Sequence, residues 1–173
     1  MASIDIVDDL GKLPSMIGRE IRAFHRQHTF VALLLDDCSI VNICTEEVTV
    51  GKWFEVFPIK LSSPPEYEIT WNELQAPFVV AGCTSLWREE WQEPISDDGA
   101  FLGSGPHFLQ CCAPIGGAPD TLEHVVKVNA GVKFSDTNQN CIVVCSSSSD
   151  PFKIDFAVDR NEAGKILKEH TCR

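Results

Sequence analysis

Eight cysteines and five histidines are the side chains of this sequence with the widest chemistry, and zinc is the first use they suggest, because thiolate and imidazole are its preferred ligands. Their spacing argues against it. Cys141 and Cys145 enclose three residues of a β-rich stretch, which puts both thiols on one strand face but too far apart for a tight chelate loop. Cys111 and Cys112 are adjacent, so in extended chain they point to opposite faces. His25 and His28 stand three apart without a Glu-x-x-His or His-Glu-x-x-His pattern around them. No metal and no cofactor is expected.

A cysteine nucleophile needs a base within reach and a third group to orient it. Cys111 or Cys112 with His107, ahead of the glycines of 116–117, is the pairing to consider for a hydrolase or transferase, although no local signature accompanies it. The acidic doublets Asp8-Asp9, Asp36-Asp37, Glu46-Glu47, Glu89-Glu90 and Asp97-Asp98 are sequence neighbours and read as solvated charge, not as two carboxyls facing each other across a cleft. Gly103-Ser-Gly105 precedes a proline instead of a helix and lacks the third glycine of a dinucleotide fingerprint. Nucleotide chemistry is disfavoured.

One constellation remains. Tyr67, Trp71, Trp87 and Trp91 are interleaved with Glu66, Glu68, Glu73, Glu89, Glu90 and Glu93, and Asp97-Asp98 follows. Aromatics that serve as desolvated anchors, set among carboxylates that steer, suit a surface that recognises a basic protein. The residues expected to bind such a partner are Glu66, Glu68, Trp71, Glu89, Glu90, Trp91, Glu93, Asp97 and Asp98. The competing reading buries the tryptophans in the core and leaves the glutamates as an ordinary wet face.

Charge distribution favours the binding reading. The formal charge is −11, and residues 61–120 hold nine acids against a single cation, Arg88. A field of this sign repels phosphate backbones and anionic lipid, so neither nucleic acid nor a membrane is expected as partner. The expected ligand is a basic protein. Small acidic proteins that neutralise cationic toxins, as immunity proteins block secreted nucleases, have this charge and size, although no motif here matches such a family. A third possibility is a structural subunit that associates through Phe101, Leu102, Phe108 and Leu109.

The elements that must position these residues follow from periodicity and punctuation. The 173 residues suit one globular domain, 1–173. Leu13, Ile17, Ile21 and Phe24 recur at spacings of four, four and three, which predicts an N-terminal helix over 13–25. Strands are expected over 30–35, 40–44, 48–57, 66–71, 78–91, 107–112, 125–134, 140–146 and 152–158, although the Trp-Arg-Glu-Glu-Trp end of 78–91 also suits a helical turn, with a loop at Ser62-Ser63-Pro64-Pro65 and a long irregular excursion over 95–120. Asp159 opens a closing helix in the manner of a capping box with Glu162, and Ala163, Ile166, Leu167 and His170 form its inward stripe. The fold class expected is α+β, a largely antiparallel sheet of seven or eight strands flanked by an N-terminal and a C-terminal helix. The start Met1–Asp9 lacks the basic and apolar runs of an export signal, and Cys38, Cys44, Cys83, Cys141 and Cys145 lie in apolar or β-rich stretches, so reduced thiols and a cytosolic location are expected.

Overall fold

The structure is a computed structural model that describes residues 2–6, 10–50, 54–92, 124–147, 150 and 152–170; for 2–6, 50, 54, 91–92, 124–126 and 169–170 it describes the backbone only. The described chain is mostly antiparallel β-sheet with a 3-10 helix, Leu10–Met16, and one α-helix. Twelve strands are present among the described residues, more than the seven or eight expected.

One sheet has the order β7-β4-β3-β2-β8, built from Ile59–Ser62, Ile40–Thr45, Phe30–Leu35, Glu20–Arg26 and Asn72–Val79, every pair antiparallel. The second is built on β10, His124–Ser135. Its one side pairs with β9, Gly82–Gln92, while its other side takes β1, Ala2–Ile6, along its first half and β11, Cys141–Ser146, along its second, with β12, Ile154–Ala157, beyond. β1 runs parallel to β10. A two-stranded ribbon of β5, Val48–Val50, and β6, Phe54–Val56, stands apart, where the sequence suggested a single strand over 48–57.

Alternation along the strands sorts the side chains into layers. Ile21, Val31, Leu33, Leu35 and Ile43 from the first sheet meet Val132, Phe134, Ile142, Val144, Ile154 and Phe156 from the second, and this apolar layer joins the sheets into a sandwich. The intervening residues of β11, Cys141, Val143 and Cys145, face the other way and pack with Ala157, Leu86 and the α-helix α1, Arg160–His170, through Ala163, Ile166 and Leu167. All six residues of β11 are buried, because this strand is covered on both faces. The carboxylate of Asp159 accepts from the backbone N–H of Asn161 at 2.8 Å and of Glu162 at 3.2 Å, the N-cap expected from the sequence.

The helix predicted over 13–25 is replaced by the short 3-10 helix and β2. Gly18 takes φ of +85°, a left-handed conformation that ends the turn, and its N–H donates to the Val80 carbonyl at 2.8 Å. Beyond it Ile21 faces the core between the sheets, the pairing shifts at Arg22 in a β-bulge, and Ala23 is buried on the opposite face; Ile17, which a helix would have buried, is 52% exposed. Tertiary pairing with β3 and β8 overrides the helical period of the local pattern. The strand expected over 78–91 is divided at Val80-Ala81: Phe78 belongs to β8 in the first sheet, and β9 starts at Gly82 in the second.

Between Asn129 and Gly131 the pairing of β9 with β10 shifts by one residue, a β-bulge at Ala130. Gly131 lies so close to β11 that a Cβ there would stand 2.7 Å from the Val144 carbonyl oxygen and 2.5 Å from Cys145 Sγ. Only glycine fits that contact without moving backbone.

Candidate partner-binding face

Sheet order dictates one feature of the described surface. β7 and β8 follow each other in sequence yet form opposite edges of one sheet, so residues 63–71 must travel across β4, β3 and β2 to connect them. Four strand spacings amount to about 19 Å, within the reach of this segment of nine residues. It forms a strap over the sheet face turned away from the sandwich core. On that face Ala23 and Ala32 are buried although neither belongs to the core between the sheets, and their methyl groups leave room for a chain to lie close.

Polar side chains from the sheet hold the strap near both ends. On β4, Asn42 donates through Nδ2 to Ser62 Oγ at 2.6 Å and to the Ser63 carbonyl at 3.2 Å. On β2, Nδ1 of His25 meets the Thr70 carbonyl at 2.9 Å, and Asn72 Nδ2 donates to the Phe24 carbonyl at 3.4 Å. Between these anchors Pro65 and Ile69 are half-buried while Glu66, Tyr67 and Glu68 are exposed, Tyr67 to 51%. This differs from the strand expected over 66–71, which would have put Tyr67, Ile69 and Trp71 together on one face. The chain between Lys60 and Arg88 contains neither lysine nor arginine, so the strap and β8 supply Glu66, Glu68 and Glu73 without a cation of their own.

Trp71, at the end of the strap, is half-buried and borders a groove of about 440 Å³ between β2 and β8. The groove exists because the two strands lose register: Ile21 pairs with Phe78 and Ala23 with Glu73, so Leu74, Gln75, Ala76 and Pro77 bow away from Arg22 alone. Pro77, which has no N–H, suits such a departure on an edge strand.

The nine residues expected to bind a partner therefore divide. Glu66, Glu68 and Trp71 come together on the strap, with Glu73 beside them. Glu89 lies on the other sheet, exposed, opposite Lys127 of β10, whose Nζ stands 5.1 Å from the centre of the half-buried Trp87 ring. The backbone of Trp91 lies in β9 opposite Val125, and its side chain is outside the description. Glu93, Asp97 and Asp98 lie outside the described residues, as do His107, Cys111, Cys112, Phe101, Leu102, Phe108 and Leu109.

Glu90 requires a correction. It was expected to face solvent and is 1% exposed, as is Arg88. Both share the helix-facing side of β9 with Leu86, two and four residues on. Arg88 Nε donates to Glu90 Oε1 at 2.7 Å, and Nη1 donates to the Ser146 carbonyl at 3.2 Å. Glu90 Oε2 has no hydrogen-bond partner among the described residues. Burial raises the pKa of this carboxyl above its ordinary value, against the opposing pull of Arg88. The only cation of residues 61–120 is thus consumed internally, where the sequence offered no sign that an Arg-x-Glu on a strand would turn inward.

The remaining titratable features are structural. Arg19 reaches Asp36 at 2.9 Å and Asp37 at 2.6 Å, and this guanidinium, with the hydroxyl and backbone of Ser39, holds the Asp37 carboxyl well below the usual range. Burial raises the Cys83 thiol and pushes that of Cys145 up to about 12, so neither is a ready nucleophile. Cys38 sits exposed in the turn after β3, at φ of +65°, not in an apolar stretch as expected. Among the described residues no group of three or more His, Cys, Asp or Glu side chains could hold a metal ion, and no helix is long and apolar enough to cross a membrane. Compared with known proteins, the chain matches no family model, no curated sequence and no solved structure.

Proposed function

We propose that this protein is a non-enzymatic binding module that captures a basic protein partner on the strap of residues 63–71 and the adjoining edge strand β8. The observation that carries this reading is the strap itself: Glu66, Tyr67 and Glu68 project into solvent from a segment anchored near both ends by side chains of the sheet beneath. An interface presented this way loses little conformational entropy on association, and its carboxylates, which have no ion pair among the described residues, raise the encounter rate with a cation. Tyr67 offers the apolar area that charge alone lacks. A toxin-neutralising role of the immunity type fits this charge and size. The free thiols of Cys38, Cys44, Cys83, Cys141 and Cys145 accord with a reducing cytosol.

The test is capture from native cytosol on the immobilised protein at low salt, repeated with a Glu66→Lys/Glu68→Lys bait and a Glu162→Lys bait. Glu162 is exposed on α1, at the opposite side of the layered molecule. A basic protein held by wild type and Glu162→Lys, lost with the double reversal and eluted by salt is the expected result. Equal capture by all three baits contradicts the proposal.

A further inference from the structure

The groove beside the strap narrows what the partner must bring. Resting on the binding role proposed above, we infer that the slot between β2 and β8 receives an arginine side chain of that partner, stacked on Trp71 and paired with Glu73.

Its lining has the composition that a guanidinium requires. Ala23, Leu34 and Leu74 supply apolar walls, Trp71 an aromatic surface, and Glu73 and Glu20 carboxylates. A planar, weakly hydrated cation uses all three at once: its face stacks on the indole, its edge donates to a carboxylate, and its methylene stem runs along the aliphatic wall. A lysine ammonium, more strongly hydrated and without a plane to stack, uses less of the same surface.

Charge complementarity supports this occupant over an apolar one. Arg22, which also lines the groove, is loosely engaged: its Nε stands 3.8 Å from Glu20 Oε1, and more than half of its side chain is exposed. It leaves Glu73, on the opposite wall, with no ion pair among the described residues. The bowed stretch Leu74–Pro77 faces Arg22 alone on β2, so the slot exists without any strand having to move. The strap enters directly: Trp71 is its last residue and Asn72 the first of β8.

The experiment is a titration of the full chain with Nα-acetyl-arginine amide, read on the indole N–H signals of its four tryptophans. The Trp71 signal, identified by its loss in Trp71→Phe, is expected to shift saturably while those of Trp53, Trp87 and Trp91 stay in place. Nα-acetyl-citrulline amide, which has the same shape without the charge, is expected to leave it unmoved. Glu73→Gln, an exposed substitution that does not depend on Trp71→Phe folding, is expected to weaken the response about fivefold, the order of one well-placed charge contact. Shifts spread evenly over the four indoles, an equal response to citrulline, or indifference to Glu73→Gln overturns the inference. A silent groove in a protein whose strap still captures its partner defeats the groove alone. A responsive groove beside a strap that tolerates Glu66→Lys/Glu68→Lys defeats the strap instead.

Discussion

Arg88 and Glu90 show how far two side chains can depart from what their types suggest. Both are charged, both stand on an edge strand among the described residues, and both are 1% exposed and bonded to each other. Removing one partner from a buried pair strands the other, at a cost of about 3–5 kcal/mol, whereas replacing both with apolar groups is often neutral. Arg88→Met is therefore expected to lose that much stability in urea unfolding, and Arg88→Met/Glu90→Leu to regain most of it. The raised pKa of Glu90 fixes a pH dependence as well. A carboxyl that binds its proton more tightly folded than unfolded contributes stability below its ordinary value of 4.5, and that contribution is lost as pH rises through the folded value. Glu90→Gln cannot titrate, so wild type is expected to lose stability relative to it as pH rises above the ordinary carboxyl value. A difference independent of pH would mean that Arg88 fully compensates the burial.

Elements were legible in the sequence where periodicity and punctuation agreed. The run 30–35 is β3 in full, and the strands of the C-terminal third and the Asp159 cap fall close to where they were expected, because apolar runs bounded by Asp, Asn, Ser and Pro admit few readings. The N-terminal third was misread because Leu13, Ile17, Ile21 and Phe24 satisfy a helical period by chance, while the hydrogen bonds that decide the matter come from β3 and β8, remote in sequence. β1 was missed for the same reason: its partner is more than a hundred residues away. The strap could not be foreseen at all, since it follows from the strand order and not from the composition of 63–71. It yields its own prediction. If Asn42 and His25 hold it down, Asn42→Ala/His25→Ala is expected to speed cleavage after Glu66 and Glu68 by a glutamate-specific protease severalfold, with unfolding free energy reduced by about 1–3 kcal/mol. Unchanged cleavage would mean that packing of Pro65 and Ile69 alone fixes the strap.

At the scale of the molecule, the layers run strap, first sheet, second sheet, helix. The strap and β8 have no lysine or arginine, while α1 carries Arg160, Lys165 and Lys168 on the far side. The fold thus divides the central acids unequally: Glu66, Glu68 and Glu73 collect on one face, Glu89 opposes Lys127, and Glu90 is internal. Composition suggested a single acidic face over 61–120; among the described residues its exposed acids are Glu66, Glu68 and Glu73 on the strap and its neighbouring edge strand and Glu89 on the second sheet. Contacts of this kind are screened beyond about 8 Å at physiological salt, so only carboxylates on the face that meets the partner act on it. The most direct test of the account is an amide NMR map of the whole chain with a short peptide rich in arginine and lysine at low salt. Shifts are expected to concentrate in residues 63–74 and along Glu20–Ala23 and to fade as salt is added. Shifts centred on β9 or α1, or dispersed over every exposed acid, would contradict it.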